Sequence, residues 1–448
     1  MPQGREGMSA RRIGFWGAVS IGIGGMVGGG IFAVLGLSVQ LARGAAPIAF
    51  ALAGAIALIT ARSYARLSVR YPSQGGTVTF LVQAFGPGLF TGTANMLLWI
   101  SYIVMLALYA HAFGSYGALL FPEAHRVLWT HVLISGVIVV ITALNFASAG
   151  LIGAAERWIV AIKIAILTLF VGLGFMGMDT HRLAPSEWAP WLPVVAGGMI
   201  IFVAYEGFEL IANAAEDVCD PARTLPRALY ASVGFVIVLY LAVAMVTLGN
   251  LSIPGIIAAR DYALAEAARP FLGSAGYLVI TVAALLSTIS AINATLYGAA
   301  RLSYTIARDG ELPAVLERKL WGRPVEGLLI TAALTLVLAN GFDLSGISTM
   351  GSTGFLLIFA AVNAAQARLA AQTGARPWLA WTGAVSCLLA LACLLVETAM
   401  RDPSRLAVLA VMLGLALGIE WSYRRWSGRV IQMHGAAASP AASRQTST

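Results

Sequence analysis

GIGGMVGGGIF, residues 22–32, and FVAYEGFELIANAAED, residues 202–217, decide how this chain folds. The first stretch places six glycines in eleven positions of an otherwise apolar run. Glycine in a helix interior costs about 1 kcal/mol relative to alanine. The second stretch sets Glu206, Gly207 and Glu209 in the middle of another apolar run. Glycines alone have an ordinary explanation in tight small-residue packing between helices. Together with carboxylates in a second run, five spans further on, they read as two broken helices in corresponding places of a five-plus-five repeat. That arrangement points to the binding site of a secondary transporter.

The rest of the chain fits a membrane protein. Of its 448 residues 59% are hydrophobic and 11% charged, where a soluble domain carries roughly 25% charged residues. So little charge cannot cover the surface against water, so lipid must. A span needs about 20 apolar residues. Candidates lie near 13–38, 46–69, 80–119, 127–148, 155–178, 191–214, 227–250, 271–305, 325–342, 345–369, 378–397 and 405–424. The third and eighth exceed one bilayer and are expected to tilt or to extend into water. The fold class is therefore all-α integral membrane, with about twelve transmembrane helices and no sign of alternating barrel strands. Arg11 and Arg12 precede the first run as they would in a signal peptide, but a second span follows at once, so the first is read as a mature helix.

Charge gives the orientation. With the N-terminus inside, 20 Lys and Arg residues fall on the inner segments, seven on the outer ones, and Lys163 within a span. This bias places both termini in the cytoplasm. It also accounts for the net charge of +8 without a nucleic-acid partner. The segments are 1–12 (cytoplasmic), 13–178 (first repeat), 191–369 (second repeat), 378–424 (last two helices) and 425–448, an Ala- and Ser-rich tail expected to be disordered. Cys219, Cys387 and Cys393 lack metal or redox spacing. The five histidines form no HExxH pattern and no GxSxG occurs, which argues against an intramembrane enzyme. A continuous polar pore, as a channel would offer, and a soluble output domain, as a sensor would carry, are also missing from the pattern.

Several stretches carry a family resemblance. The first span with its GIF end, YPSQGG at 71–76, AEDVCDPARTLPRAL at 215–229 and ARDGELP at 307–313 resemble the amino acid–polyamine–organocation superfamily. ALNFASAGLIGAAERWIVAIKIAILTLF at 143–170 and ALLSTISAINATLYGA at 284–299 resemble its proton-coupled, broad-specificity amino-acid transporters of the ApcT type. The likeness runs from about residue 13 to 370. It implies an inverted-repeat fold, helices 1–5 related to helices 6–10 by a pseudo-twofold, with two peripheral helices. It implies a small amino-acid substrate, surrounding lipid, no obligate protein partner, no metal and no cofactor beyond a coupling proton. It also implies a prokaryotic inner membrane as the location.

An amino acid is a zwitterion, so its carrier must replace two hydration shells. Unwinding the first span frees N–H groups of its second half to bind a carboxylate, helped by the helix dipole. Matched to the family motif, Gly28, Gly29 and Gly30 supply these donors, and glycine admits the close approach. The matching acceptors for the ammonium are the backbone carbonyls of Met26, Val203, Ala204 and Glu206. Phe202 falls where the family places an aromatic lid, although a Phe in an apolar helix is core by default. Tyr102 and Met105 are expected along the side-chain pocket.

Lys163 lies within the fifth span. A buried lysine costs about 3 kcal/mol on insertion scales, so it snorkels or finds partners. Related transporters carry a lysine here whose amine replaces a sodium ion. The matching contacts are the carbonyl of Gly24 and the hydroxyl of Ser287, and the implied role is to bind and release the coupling proton. Glu209 matches a carboxylate linked to pH response elsewhere in the superfamily. Glu206 departs from the relatives, which tend to be uncharged there. Facing the pocket it would favour cationic substrates or handle a second proton; facing a neighbour it would only partner polar groups. His111 reads as a vestibule or packing residue, and Asn293 and Asn213 as interhelical hydrogen-bonding groups. The run Glu216, Asp217, Asp220, Arg223 and Arg227 reads as a solvated loop or as an inner gate of ion pairs. Two modes of transport remain open: proton-coupled symport by alternating access, and sodium-independent exchange of amino acids or amines.

Overall fold

A computed structural model describes residues 13–147, 149–308 and 325–427. The N-terminal segment 1–12, positions 309–313 of the ARDGELP stretch and the tail from 428 onward lie outside the described residues.

The helices are α1 (Phe15–Met26), α2 (Gly30–Ala42), α3 (Ala46–Arg70), α4 (Thr77–Phe85), α5 (Leu89–Gly117), α6 (Arg126–Ala147), α7 (Ala149–Gly174), α8 (Trp191–Ile200), α9 (Leu210–Asn213), α10 (Pro221–Asn250), α11 (Ile253–Ala259), α12 (Ala263–Arg308), α13 (Val325–Gly341), α14 (Leu344–Arg368), α15 (Ala370–Thr373), α16 (Pro377–Arg401) and α17 (Ser404–Ser427). Among the described residues, nine stretches are long and apolar enough to cross a membrane. Two bent pairs add a span each: α1 with α2, at 47°, and α8 with the segment through α9, at 45°. The shorter α13 supplies the twelfth. Its 17 residues rise about 25 Å at ~1.5 Å each, slightly less than a hydrocarbon core of about 30 Å.

Several boundaries differ from the sequence reading: α7 starts at Ala149 rather than 155 and α10 at Pro221 rather than 227. The third span is not one long tilted helix, because Gly86–Pro87–Gly88 separates α4 from α5. Gly86 has φ 73°, and the proline offers no N–H to continue the helix. The eighth span starts earlier, at Ala263, and is kinked where Gly273 adopts φ 64°. The last span runs three residues past 424, to Ser427.

The two halves meet through like-numbered spans: α3 (second) lies along α10 (seventh), and α5 (third) along α12 (eighth). The centre is α5, with 83% of its apolar window buried, whereas α17 buries 22%. Helix α17 therefore lies at the periphery, on α5, while α16, 39% buried, packs on α14 and α8. Apolar side chains such as Val411, Leu415 and Leu389 point outward from them, as lipid-facing residues do.

The broken spans are joined at both ends. Before α1, Ile13 pairs with Val218, which follows α9: Ile13 N–H donates to Asp217 C=O (3.1 Å) and Cys219 N–H to Ile13 C=O (2.9 Å). After α2, Arg43 pairs with Trp188, which precedes α8, and Gly44 N–H donates to Glu187 C=O (3.0 Å). One offset, 175 residues, relates Ile13 to Trp188 and Arg43 to Val218. Exchanging the halves thus carries the paired positions onto one another, but not the sense of the pairing, which is parallel at Ile13–Val218 and antiparallel at Arg43–Trp188.

Candidate functional site

Helix α1 ends at Met26 and Val27 leaves helical geometry, with ψ 47°. Gly28 and Gly29 form the link, and α2 begins at Gly30 without a side-chain cap. The first bond of α2 runs from Ala33 N–H to Gly29 C=O (3.0 Å). The N–H groups of Gly30, Ile31 and Phe32 therefore have no acceptor within the helix. Ala33 follows three buried residues, so water does not reach this end either.

In the sixth span, α8 gives way to a 3₁₀ turn at Phe202–Tyr205. Glu206 is extended, with ψ 153°, and Gly207 takes φ 113°. Side-chain-bearing residues rarely adopt that φ. The missing Cβ also matters. Built on Gly207, it would lie 2.5 Å from the carbonyl carbon of Gly25 and 2.7 Å from the amide nitrogen of Met26. On Gly30 it would lie 2.9 Å from Cα of Ala204. The two breaks thus touch backbone to backbone, as only glycine permits here.

Side chains from neighbouring helices hold this crossing. Glu209 Oε2 accepts the Gly207 N–H (2.9 Å), and its Oε1 accepts the Tyr102 hydroxyl (3.3 Å). The Tyr240 hydroxyl, from α10, reaches Met26 C=O at 2.7 Å and Ala204 C=O at 3.2 Å. Val203 N–H donates to Ser352 Oγ (3.1 Å), and Val203 C=O accepts the Glu206 N–H (3.3 Å). Ser348 and Ser352 of α14 also donate to Ile200 C=O. Three of the four carbonyls expected to meet an ammonium, those of Met26, Val203 and Ala204, therefore already hold a donor. Each carbonyl keeps a second lone pair.

Lys163 does not snorkel. It is 1% exposed, and its Nζ donates to Gly24 C=O at 3.0 Å. Ser287 is buried too, but its hydroxyl has no hydrogen-bond partner, so of the two expected contacts only that with Gly24 is formed. Phe202 packs against Phe359, and Phe359 against Phe208 and Phe355, in one aromatic cluster. Tyr102 stands edge-on to Phe355. Met26, Phe202, Val203, Ala204, Glu206, Glu209 and Tyr102 are each at most 4% exposed, so the site is closed to both faces.

Asn145 donates to Asn293 Oδ1 at 2.8 Å, joining α6 to α12. His111 lies 3.9 Å from Asp261 at one mouth. In the acidic and basic run, among the described residues, Asp220 pairs with Arg223 at 3.9 Å, with both side chains exposed and within one turn. That pair joins no two elements, and the Ile13–Val218 bridge makes the tie there instead. Tyr240 and Tyr109 were not singled out in the sequence. Tyr109 lays its ring on Gly29, 2.7 Å from a Cβ built there, with its hydroxyl 3.3 Å from one on Gly28. A tyrosine hydroxyl within a span needs a partner, and that is the signal each offered.

Known proteins share this arrangement of sequence. The pattern of the amino acid permease family matches residues 13–417. An uncharacterized protein of Methanocaldococcus jannaschii is 38% identical over 355 residues, which cover 78% of this chain and 80% of that protein. The inner membrane transport protein YbaT of Escherichia coli is 34% identical over 361 residues, covering 80% and 83%. The methylthioribose transporter of Bacillus subtilis is 26% identical over 396 residues, covering 81% and 82%. With two touching helix breaks in the membrane and a family match across nearly all its spans, the chain belongs to the amino acid permease family of the amino acid–polyamine–organocation superfamily, and is a multi-pass membrane transporter rather than an enzyme.

Proposed function

We propose that this transporter imports amino acids across a prokaryotic inner membrane by alternating access, coupled to protons, with both termini cytoplasmic. The observation that carries the reading is the meeting of the two breaks. It sets the free N–H groups of Gly30, Ile31 and Phe32 on one side of a buried crossing, with the carbonyls of Met26 and Ala204 close by. Donors at a helix start suit a carboxylate, and carbonyls at a helix end suit an ammonium. Lys163 supports the coupling: its amine is bound to Gly24 C=O, at the last turns of α1. A change in its charge acts directly on the helix that ends at the site.

The test is uptake of a panel of labelled amino acids into proteoliposomes under ΔpH, under a sodium gradient and under neither. The expected outcome is accumulation under ΔpH alone. Lys163→Ala is expected to abolish accumulation against the gradient. A Lys163→Ala protein that still concentrates substrate under ΔpH refutes this coupling, and flux that requires amino acid on both sides identifies an exchanger.

A further inference from the structure

The two breaks already balance a zwitterion: N–H groups for its carboxylate, carbonyls for its ammonium. Two carboxyl groups remain. That of Glu209 is occupied in holding Gly207 and Tyr102, one contact to each oxygen. Glu206 is 3% exposed, and its carboxyl hydrogen-bonds that of Glu209, with one proton between them, and accepts the hydroxyl of Tyr109. Through Tyr109 it borders Gly28 and Gly29, the link between α1 and α2. Among the described residues, neither acid forms an ion pair with Lys, Arg or His. In the absence of a cation the proton between the two carboxyls is what compensates their burial, and a substrate ammonium placed there can take its role.

We infer that Glu206 is a specificity-determining residue that selects amino acids carrying a second positive charge. The inference rests on the reading of the crossing as an amino-acid site. The substrate's α-amino and α-carboxyl groups engage the backbone of the breaks, and its side-chain ammonium meets the Glu206 carboxylate beside Tyr109. The phenol hydroxyl then donates to the same carboxylate and holds it toward the ligand. A neutral side chain of the same shape leaves the acid without its cation and is disfavoured.

Ornithine and norleucine are a matched pair, because their side chains differ by an ammonium in place of a methyl group. The experiment compares their kcat/KM in proteoliposomes containing the full-length protein, Glu206→Gln or Glu206→Asp. Wild type is expected to prefer ornithine. Glu206→Gln is expected to cut the ornithine-to-norleucine ratio by roughly 10- to 100-fold, as loss of one partner from a buried charge-assisted contact does, and Glu206→Asp to restore part of it. A ratio that stays the same in Glu206→Gln, with flux retained, overturns the inference and leaves the amino-acid reading intact. Wild-type protein that moves no amino acid overturns both. Should Glu206→Gln fail to fold, thermal stabilisation of wild type decides: ornithine must raise Tm more than norleucine at equal concentration, and an equal or smaller rise overturns the inference.

Discussion

The two breaks occupy corresponding places in the halves, yet they are built differently. The first is opened by absence. Gly28, Gly29 and Gly30 have neighbours at 2.7–2.9 Å from any added Cβ, so the backbone is exposed because nothing else fits. The second is opened by substitution. Glu209 takes over the Gly207 N–H that a continuous helix would have bonded to a carbonyl. The difference bears on what each can do. A glycine link has no group that changes charge, so the geometry of the first break does not depend on one. The second depends on a carboxylate, so its geometry can respond to charge.

The contact between the breaks is the sharpest place to attack this contrast. Gly207→Ala adds a methyl group onto the backbone of Gly25 and Met26 and forces alanine to φ 113°. Backbone atoms cannot rotate away as a side chain can. Transport is expected to fall at least ~100-fold, a loss of about 3 kcal/mol, with the protein still inserted in the membrane. Gly29→Ala meets the ring of Tyr109 instead, which can move, and is expected to lose less. Initial uptake rates at matched membrane levels check the order. Near wild-type uptake by Gly207→Ala would show that the two breaks need not touch.

Glu209 tests whether the second break needs an acceptor or a charge. Glu209→Gln keeps an oxygen for the Gly207 N–H, whereas Glu209→Ala keeps none. A hydrogen bond to a charged group contributes about 1.5–3 kcal/mol. Glu209→Ala is therefore expected to lose ~10- to 100-fold in kcat/KM, and Glu209→Gln several-fold. Equal losses in both variants would mean that charge, and not the clip on Gly207, maintains the break.

The breaks themselves were legible in the sequence because they violate helix rules. Six glycines in one apolar run and two acids in another have no place in an ordinary span. Lys163 was legible for the same reason, since a charge in lipid demands a partner, and the structure chooses Gly24 over snorkelling. Less legible was the kink at Gly273, where a single glycine in a long apolar stretch is equally compatible with packing, whereas Gly86–Pro87–Gly88 carried a breaker signal that a single span over 80–119 overrides. Tyr240 and Tyr109 offered only the general need of a hydroxyl within a span for a partner. Their roles arise from residues 36 to 214 positions away, a distance that periodicity does not carry. Nor could composition foresee the two bridges, because Ile13, Arg43, Trp188 and Val218 pair through main-chain atoms.

Tyr240 offers the finest distinction, because it touches both breaks with one hydroxyl. The group has a single proton, so its bonds to Met26 C=O at 2.7 Å and Ala204 C=O at 3.2 Å share it. The shorter distance assigns most of that proton to the first break. Tyr240→Phe keeps the ring on Tyr205 and Phe50 and removes only the donor. A net hydrogen bond is worth roughly 1 kcal/mol, about a 5-fold change. If the ammonium of the substrate uses the same carbonyls, their release has two opposing consequences. The empty site loses stability, so Tm falls, while the carbonyls no longer share a donor with the ligand, so KM falls as well. A lower Tm with an unchanged or raised KM would instead mean that the hydroxyl is purely structural and that the ammonium sits elsewhere along the crossing. Substrates without an amine would then respond to Tyr240→Phe as strongly as those that carry one.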